Sequence, residues 1–336
     1  MILGQDNKKK FKLFDMNRDG KGVYEEENRK PTFLFFFKLL KRKLSHILRL
    51  NLMMLVQIVP ILVFIYLYIG GTKTPTTTSL LYSTYYGISK ISPSAFFTGL
   101  LDMQSIHMGL PVFHPAVVIV LICLALLLAI TFGWINVGAA YVLRGLFRGD
   151  PVFIVADFFY AIKRNLKQAF FMGLIDIVCI IVLVADFIYF YNRTGTSFMN
   201  DFMYFMIFAL AIIYVVMRFY MYQMLITFNL SNFKILKNSL IFTVLGIKRN
   251  IVALLFIVLL IVLHIVVILM SLSVGISIPL ILPLFYIMAL MGFISTYAAY
   301  PVIDKYMIAP YASQKASDDS DDDDGYDEDA ADIENE

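Results

Sequence analysis

The chain has 336 residues, of which 60% are hydrophobic and only 16% charged, with a formal net charge of +3 and a mean hydropathy of +0.76. Soluble domains are usually about 45–50% apolar and about 25% charged, so this composition excludes an ordinary soluble domain. Because the positive charge lies next to apolar segments, the composition favours a membrane protein and argues against nucleic-acid binding.

Residues 1–30 form a polar leader without the apolar central run of a signal peptide, so we expect no cleavable signal. Within it, oxygen-bearing side chains occupy positions one, three, five and twelve of a calcium-binding loop, with glycine at position six: Asp15, Asn17, Asp19 and Glu26. Gly22 replaces the usual apolar residue, Pro31 disfavours a long exiting helix, and no second loop is present to pair with it. The match is weak, and we predict a turn-rich leader with no metal site.

The segment Pro31–Arg49 alternates apolar and basic residues at helical spacing. Such a pattern predicts a helix in the headgroup plane, held by apolar burial and by anionic lipid headgroups. Its expected apolar face consists of Leu39, Leu40, Leu44, Ile47 and Leu48.

The segment Pro151–Lys167 repeats this amphipathic pattern, with an expected apolar face of Val152, Val155, Phe159, Ile162 and Leu166. Basic side chains accompany both segments and also precede a later apolar stretch. We predict that these cations contact anionic lipid at the membrane surface; they are Lys38, Lys41, Arg42, Lys43, Lys163, Arg164, Lys167, Lys248 and Arg249.

Six apolar stretches are long enough to cross the membrane as helices, because about 20 residues at ~1.5 Å each span the ~30 Å hydrocarbon core. They are residues 50–68, 115–141, 169–191, 202–228, 251–273 and 276–300, with a tight turn expected near Ser273–Pro279. Only helices or closed barrels satisfy the backbone in lipid. We therefore predict an all-α integral membrane bundle of about six transmembrane helices within a domain of residues 31–311, with amphipathic in-plane helices on its cytoplasmic face.

Lysine and arginine residues are concentrated on alternate sides of these spans. Residues 1–49 hold 13 of them, and others follow spans two, four and six, whereas the opposite side has only Lys73, Lys90 and Arg193. By the positive-inside rule, both termini face the cytoplasm, which requires an even number of crossings. We expect a multi-pass protein of the plasma membrane.

Three segments that precede a span resemble one another: Arg49-Leu50-Asn51, Ile162-Lys163-Arg164-Asn165 and Ile247-Lys248-Arg249-Asn250. One interpretation is an internal repeat of three units, each an in-plane basic helix followed by a two-span hairpin. The alternative is that Lys, Arg and Asn are common wherever a helix starts at the cytoplasmic face.

Two further segments are expected outside the lipid. Residues 69–114 form the large non-cytoplasmic segment, interpreted either as a surface-lying loop with a short helix or as a surface for a partner or ligand. Residues 312–336 form an acidic tail, with 12 Asp and Glu and no Lys or Arg from Ser317 onward. Such a run repels itself and buries no core, so we predict a disordered cytoplasmic tail, which could also fold back on the basic helices.

Charged groups inside lipid are costly and are usually paired or functional. Arg218 lies about ten residues, or ~15 Å, from the cytoplasmic end of span four, and Asp176 lies seven residues into span three from the same side. Their similar depth predicts a salt bridge across the hairpin that fixes helix packing. The alternative is a polar pathway through Asp176, Arg218, Asn136 and His264, although ionisable residues are too few for a proton relay.

Patterns for other chemistries are missing from the sequence. It contains no GxxxxGK[ST], HExxH, GxSxG or CxxC motif, and its four histidines have no ligand spacing. We therefore predict no catalytic residue, no cofactor and no enzymatic activity.

Several stretches together resemble the YesL-like family of bacterial polytopic membrane proteins. They are residues 42–52 (RKLSHILRLNL), 132–178 (beginning FGWINVGAAYVLRGLFRGDPVF), 218–250 (beginning RFYMYQMLITFNLSNF) and 297–307 (YAAYPVIDKYM), and the likeness covers about residues 20–311. The family occurs mainly in Gram-positive bacteria, often beside genes for carbohydrate uptake, and has no established catalytic residues.

The resemblance implies a non-enzymatic accessory or regulatory component linked to carbohydrate uptake, with a sugar-transporter subunit as a candidate partner. The alternative function is a small-molecule permease or channel with a polar route near Asp176 and Arg218.

Overall fold

The computed structural model describes residues 31–70, 73–74, 110–111, 113–274 and 281–310, together with Ile88, Ile91 and Ser94. In these ranges the α-helices are α1 (Phe33–Met54), α2 (Val59–Gly70), α3 (Pro115–Arg148), α4 (Ile154–Arg164), α5 (Leu166–Tyr191), α6 (Phe198–Thr227), α7 (Asn232–Leu245), α8 (Ile247–Ser273) and α9 (Ile287–Ile303). The 3-10 turns Leu55–Gln57 and Leu282–Phe285 precede α2 and α9 respectively. A π-helical turn, Asp304–Ile308, follows α9.

Several predicted segments lie outside the described residues. They are the leader with its calcium-loop residues Asp15, Asn17, Asp19 and Glu26, most of segment 69–114, and the tail. The ends of segment 69–114 are paired by two short antiparallel strands, β1 (Lys73–Thr74) and β2 (Leu110–Pro111), with Lys73 opposite Pro111.

The described helices include five that are long and apolar enough to cross a membrane: α3, α5, α6, α8, and α9 with its π-helical turn. Helices α1 and α2 form a sixth candidate span, bent by 52° at the break between them. The predicted all-α membrane bundle of about six spans is therefore confirmed, and the chain is a multi-pass membrane protein.

The first span differs from its prediction. An in-plane helix was expected to end at Arg49 and a span to begin at Leu50, but α1 continues to Met54 and the bend lies at residues 55–58. Pro60 explains this position, because proline has no N–H and its ring clashes with the carbonyl four residues earlier.

The last span is also displaced from its prediction. It was expected over residues 276–300, whereas α9 begins at Ile287 and helical structure continues to Ile308. Pro283 lies in the 3-10 turn that precedes α9. Proline has no N–H to donate, so this position suits a turn but interrupts a continuous α-helix. Helix α3 starts at Pro115 as predicted but has 34 residues, or about 51 Å, so it extends beyond the hydrocarbon core.

The two predicted amphipathic segments each present one side to the protein and leave another side open. In α4, the buried residues are Ile154, Phe158 and Ala161, whereas Val155 and Phe159 of the predicted apolar face are 60% and 48% exposed. In α1, Leu39 and Ile47 are buried and Leu44 and Leu48 are exposed. The open apolar sides are therefore available to lipid.

The buried core is concentrated in one half of the bundle. Buried residues extend from Gly133 to Leu146 in α3, from Tyr214 to Ile226 in α6 and from Ala289 to Ile303 in α9. At the end of this half, α3 and α6 end and α5 and α8 begin. We call it the basic end, because four basic residues lie there: Lys163, Arg164, Lys248 and Arg249. The opposite half exposes apolar side chains to lipid around most of α3 and α8.

Candidate functional site

The candidate site lies between α5 and α6, which form an antiparallel hairpin. In its turn, Gly195 has a φ of +77° and donates its N–H to Oδ1 of Asp201 at 2.8 Å. Ser197 is the N-cap residue of α6, and its hydroxyl oxygen accepts from the N–H of Met199 at 3.4 Å. These local bonds fix where α6 begins and therefore which of its residues face α5.

The Asp176 carboxylate is the centre of the site and is fully buried, with 0% exposure. Nε of Arg218 lies 2.9 Å from Oδ1 and 3.0 Å from Oδ2 of Asp176. The hydroxyl of Tyr214 donates to Oδ1 at 2.8 Å, and the hydroxyl of Tyr222 donates to Oδ2 at 2.6 Å. We call Asp176, Tyr214, Arg218 and Tyr222 the carboxylate clamp.

The three donors of the clamp occupy one face of α6, because they follow one another at intervals of four residues. The sequence predicted the contact between Asp176 and Arg218 from their similar depth, and the structure places them together. Tyr214 and Tyr222 were not predicted from the sequence. Their positions, four residues before and after Arg218, place all three side chains on one helix face and could have indicated their contact with Asp176.

Helix α3 forms the third wall of the site through an unusually close approach to α5. A Cβ atom added to Gly133 would overlap the backbone oxygen of Ala169, and one added to Gly173 would overlap the backbone of Gly133. Small residues at such contacts let helix backbones pack directly in a membrane. One residue before Gly133, the centre of the Phe132 ring lies 5.7 Å from the Arg218 guanidinium carbon, so α3 also contacts the clamp.

The geometry of the clamp favours a role in holding α5 and α6 together over a role in catalysis or transport. Both Asp176 oxygens accept hydrogen bonds from α6, so the carboxylate compensates the arginine charge and has no vacant side. Arg218 keeps a partly open side chain, 31% exposed. Among the described residues, no group of three or more His, Cys, Asp or Glu is placed to hold a metal ion.

The other residues of the predicted polar pathway bond elsewhere. Nδ2 of Asn136 donates to the carbonyl of Phe132 at 2.8 Å and lies 3.4 Å from Oε1 of Gln57. Nδ1 of His264 lies 2.8 Å from the hydroxyl of Tyr286, linking α8 to the start of α9. The bond of Asn136 to Phe132 lies within α3, whereas the contacts of Asn136 with Gln57 and of His264 with Tyr286 join different elements, as the clamp does.

A second buried polar contact joins three helices near the clamp. Nε2 of Gln223 in α6 donates to Oγ1 of Thr296 in α9 at 2.9 Å and lies 3.5 Å from the carbonyl of Ala140 in α3. Its Oε1 is buried and has no hydrogen-bond partner among the described residues. Gln223 could not be predicted from the sequence, since an isolated glutamine in an apolar span does not indicate its partner.

The three similar segments before the spans place their asparagines differently. Asn165, between α4 and α5, donates to the carbonyl of Ala161 at 2.9 Å. Asn250 in α8 donates to the carbonyl of Thr243 in α7 at 3.0 Å and accepts from the Tyr220 hydroxyl at 2.6 Å. In both units a short helix precedes a long one. The first unit differs, because α1 continues unbroken through Asn51.

The predicted membrane-surface cations lie on three elements. Four are on α1, three are around the junction of α4 and α5, and two are in the first turn of α8. Of these, Lys43 is partly buried and the other eight are exposed: Lys38, Lys41, Arg42, Lys163, Arg164, Lys167, Lys248 and Arg249.

Comparison of the chain with protein-family models, with curated proteins and with solved structures finds no match. The fold and the clamp by themselves define the class: a multi-pass helical membrane protein whose buried polar groups join its own helices.

Proposed function

We propose that this chain is a non-enzymatic accessory or regulatory component of the plasma membrane, linked to carbohydrate uptake, with both termini in the cytoplasm. The link to uptake comes from the resemblance to the YesL-like family, and the orientation comes from the positive-inside rule. We propose further that it acts by binding a membrane partner, with a sugar-transporter subunit as the candidate.

The carboxylate clamp is the observation that carries this proposal. A transport route needs polar groups that can exchange partners, but the Asp176 carboxylate is buried and bonded to three side chains of its own chain. Charged residues in membrane proteins serve either pathways or helix pairing, and this geometry favours pairing.

The apolar half of the bundle supplies a surface for a partner. Exposed side chains of this half include Ile119, Ile122 and Leu126 on α3 and Leu263 and Leu269 on α8, each at least 55% exposed. Lipid covers such a surface by default, and another transmembrane helix can replace it through van der Waals packing.

Two assays on the full chain test the proposal. The first is pairwise co-purification with each subunit of a carbohydrate transporter encoded beside this gene. The double variant Leu126→Trp/Leu263→Trp disturbs the exposed apolar half, and Leu240→Trp on α7 is the control. We expect one subunit to bind, and binding to fall only in the double variant. Failure of every neighbouring subunit to bind would contradict the proposal.

A permease is the second candidate, and the partly open side chain of Arg218 favours it. The second assay addresses it by solute flux into liposomes that contain the purified protein. Flux above that of empty liposomes that falls on Arg218→Ala would establish a permease. We expect no such flux, because the Asp176 carboxylate is buried and bonded to three side chains of its own chain.

A further inference from the structure

A groove of about 280 Å³ opens at the basic end, where the start of α1, the first turns of α8 and the second half of α9 meet. Four aromatic residues, Phe33, Phe36, Phe256 and Tyr297, line it together with aliphatic side chains. These rings contact one another, with centroids 5.5 Å apart for Phe33 and Phe256 and 5.2 Å apart for Phe36 and Tyr297. The Tyr297 hydroxyl donates to the carbonyl of Thr32 at 2.6 Å, which holds the start of α1 against α9.

Two cations, Lys248 and Arg249, line the same groove. Both are exposed, and the described part of the chain provides neither a hydrogen bond nor an ion pair to their charged groups. They occupy the first turn of α8, where the N-terminal end of the helix dipole adds to the positive potential. Val252 and Phe256 line the groove about one and two turns further along α8, or ~6 and ~12 Å deeper.

We propose that this groove binds one anionic phospholipid, with the headgroup phosphate at Lys248 and Arg249 and an acyl chain along Val252 and Phe256. The groove has positive charge at its rim and apolar walls further along α8. This arrangement is complementary to an amphiphile that is anionic at one end and apolar along the rest of its length. A free phosphate would use the rim alone, and a zwitterionic lipid would leave its cationic charge uncompensated there. The proposal is independent of the proposed function.

The chain contains its own control for this assignment. Lys163 and Arg164 belong to the same Ile-Lys-Arg-Asn sequence as Lys248 and Arg249 and are also exposed, but they do not line the groove. General attraction of anionic lipid to surface cations acts on both pairs, since each basic residue contributes similarly near a membrane. A lipid seated in the groove predicts a loss from the Lys248 and Arg249 pair alone. Because Lys163 and Arg164 lie in the last turn of α4, the pairs also differ in helix-end potential, and the variant Val252→Trp, which keeps both charges, separates the two explanations.

The test is native mass spectrometry of the full chain in detergent, titrated with phosphatidylglycerol or with phosphatidylcholine of the same acyl chains. We expect selective binding of phosphatidylglycerol, and roughly a 10- to 30-fold weaker affinity in K248Q/R249Q, as expected for two lost cations. The control K163Q/R164Q should change the affinity by less than about twofold. Val252→Trp, which fills the channel and keeps both charges, should also weaken binding, and unfolding temperatures report whether each variant is folded.

Three results would overturn the assignment. Equal losses in the two double variants would mean diffuse attraction to the surface. Inorganic phosphate that displaces the lipid at the same concentration, with Val252→Trp silent, would mean a phosphate site. Cross-linking of residues 317–336 to α8 in place of lipid binding would mean that the acidic tail occupies the groove.

Discussion

At the scale of the residue, the main feature of the clamp is a carboxylate that lies inside the lipid-spanning part of the chain. An unpaired charged side chain at a helix centre costs about 2.5–3.5 kcal/mol on insertion scales. Asp176 and Arg218 offset one another, and the two tyrosine hydroxyls supply the remaining hydrogen bonds to the carboxylate. The clamp therefore makes the contact of α5 with α6 specific, because a rotation of either helix would leave a buried charge unpaired.

Substitution of one partner should destabilise the protein strongly. We expect Asp176→Ala to lower the free energy of unfolding in detergent micelles by about 3 kcal/mol, because it leaves Arg218 without its counter-charge and the hydroxyls of Tyr214 and Tyr222 without their acceptor. The measurement is denaturant unfolding followed by circular dichroism. The matched control is Asp186→Ala on the same helix, since the described residues provide no hydrogen-bond or ion-pair partner for that carboxylate. A similar loss in both variants would show that the clamp does not stabilise the fold.

Depth along an apolar segment predicted the ion pair but not its neighbours. A position in the sequence gives the height of a side chain in the membrane, and this was enough for Asp176 and Arg218. It does not give the rotation of each helix, on which the partners of Tyr214, Tyr222 and Gln223 depend. With 20 tyrosines in the chain, two at the right spacing did not stand out.

At the scale of the element, the contact of α3 with α5 depends on two glycines that lie backbone to backbone. We expect Gly173→Ala to lower the free energy of unfolding by about 1 to 3 kcal/mol, because the new methyl group would overlap the backbone of Gly133 and force the helices apart. The same unfolding assay measures it. Gly145→Ala is the control, since its methyl group would meet only a Val152 side chain. Equal effects would mean that helix propensity, and not close packing, decides the cost.

The start of α9 depends on a side chain from a distant helix. Asn51 of α1 is fully buried, accepts from the N–H of Ala289 at 2.9 Å and donates to the carbonyl of Leu284 at 2.5 Å. It thus acts as a cap for α9, whose own N-cap residue, Tyr286, makes no side-chain cap bond.

Removal of this cap should loosen the first turn of α9. We expect Asn51→Ala to cost about 1 to 2 kcal/mol of stability, as cap substitutions do. Hydrogen exchange should be faster in residues 287–291 and unchanged in α6. The exposed Asn192→Ala, at the end of α5, is the control, and identical exchange in both variants would contradict the capping role.

Hydropathy located α5, α6 and α8 to within four residues at each end, because their limits coincide with the limits of apolar sequence. It misplaced the break after α1 and the start of α9. Pro60 sets the break after α1. The start of α9 is set by Pro283 and by the buried Asn51, whose partner in α9 is more than 200 residues away in the sequence. The hydropathy of a segment does not show whether its asparagine lies at the start of a span or caps another helix.

At the scale of the whole molecule, the core lies in the half of the bundle next to the basic end. The clamp, the glycine contact and the Gln223 bond to Thr296 all involve buried residues of this half. The opposite half is apolar and open, so lipid or a partner covers it. This asymmetry places the cations, the lipid groove and the tight packing at one end, which we propose to be cytoplasmic.

Accessibility of single cysteines from outside the cell tests this account most directly. The native Cys123 and Cys179 are first replaced by alanine, and one cysteine is then placed at Thr194 in the turn between α5 and α6, or at Asp150 between α3 and α4. Thr194 is exposed and the Asp150 side chain is 46% exposed, and the two positions lie at opposite ends of the bundle. A membrane-impermeant maleimide should label the cysteine at position 194 in intact cells and the one at position 150 only after permeabilisation. Labelling of both positions in intact cells, or of neither after permeabilisation, would contradict a bundle that spans the membrane with its basic end inside.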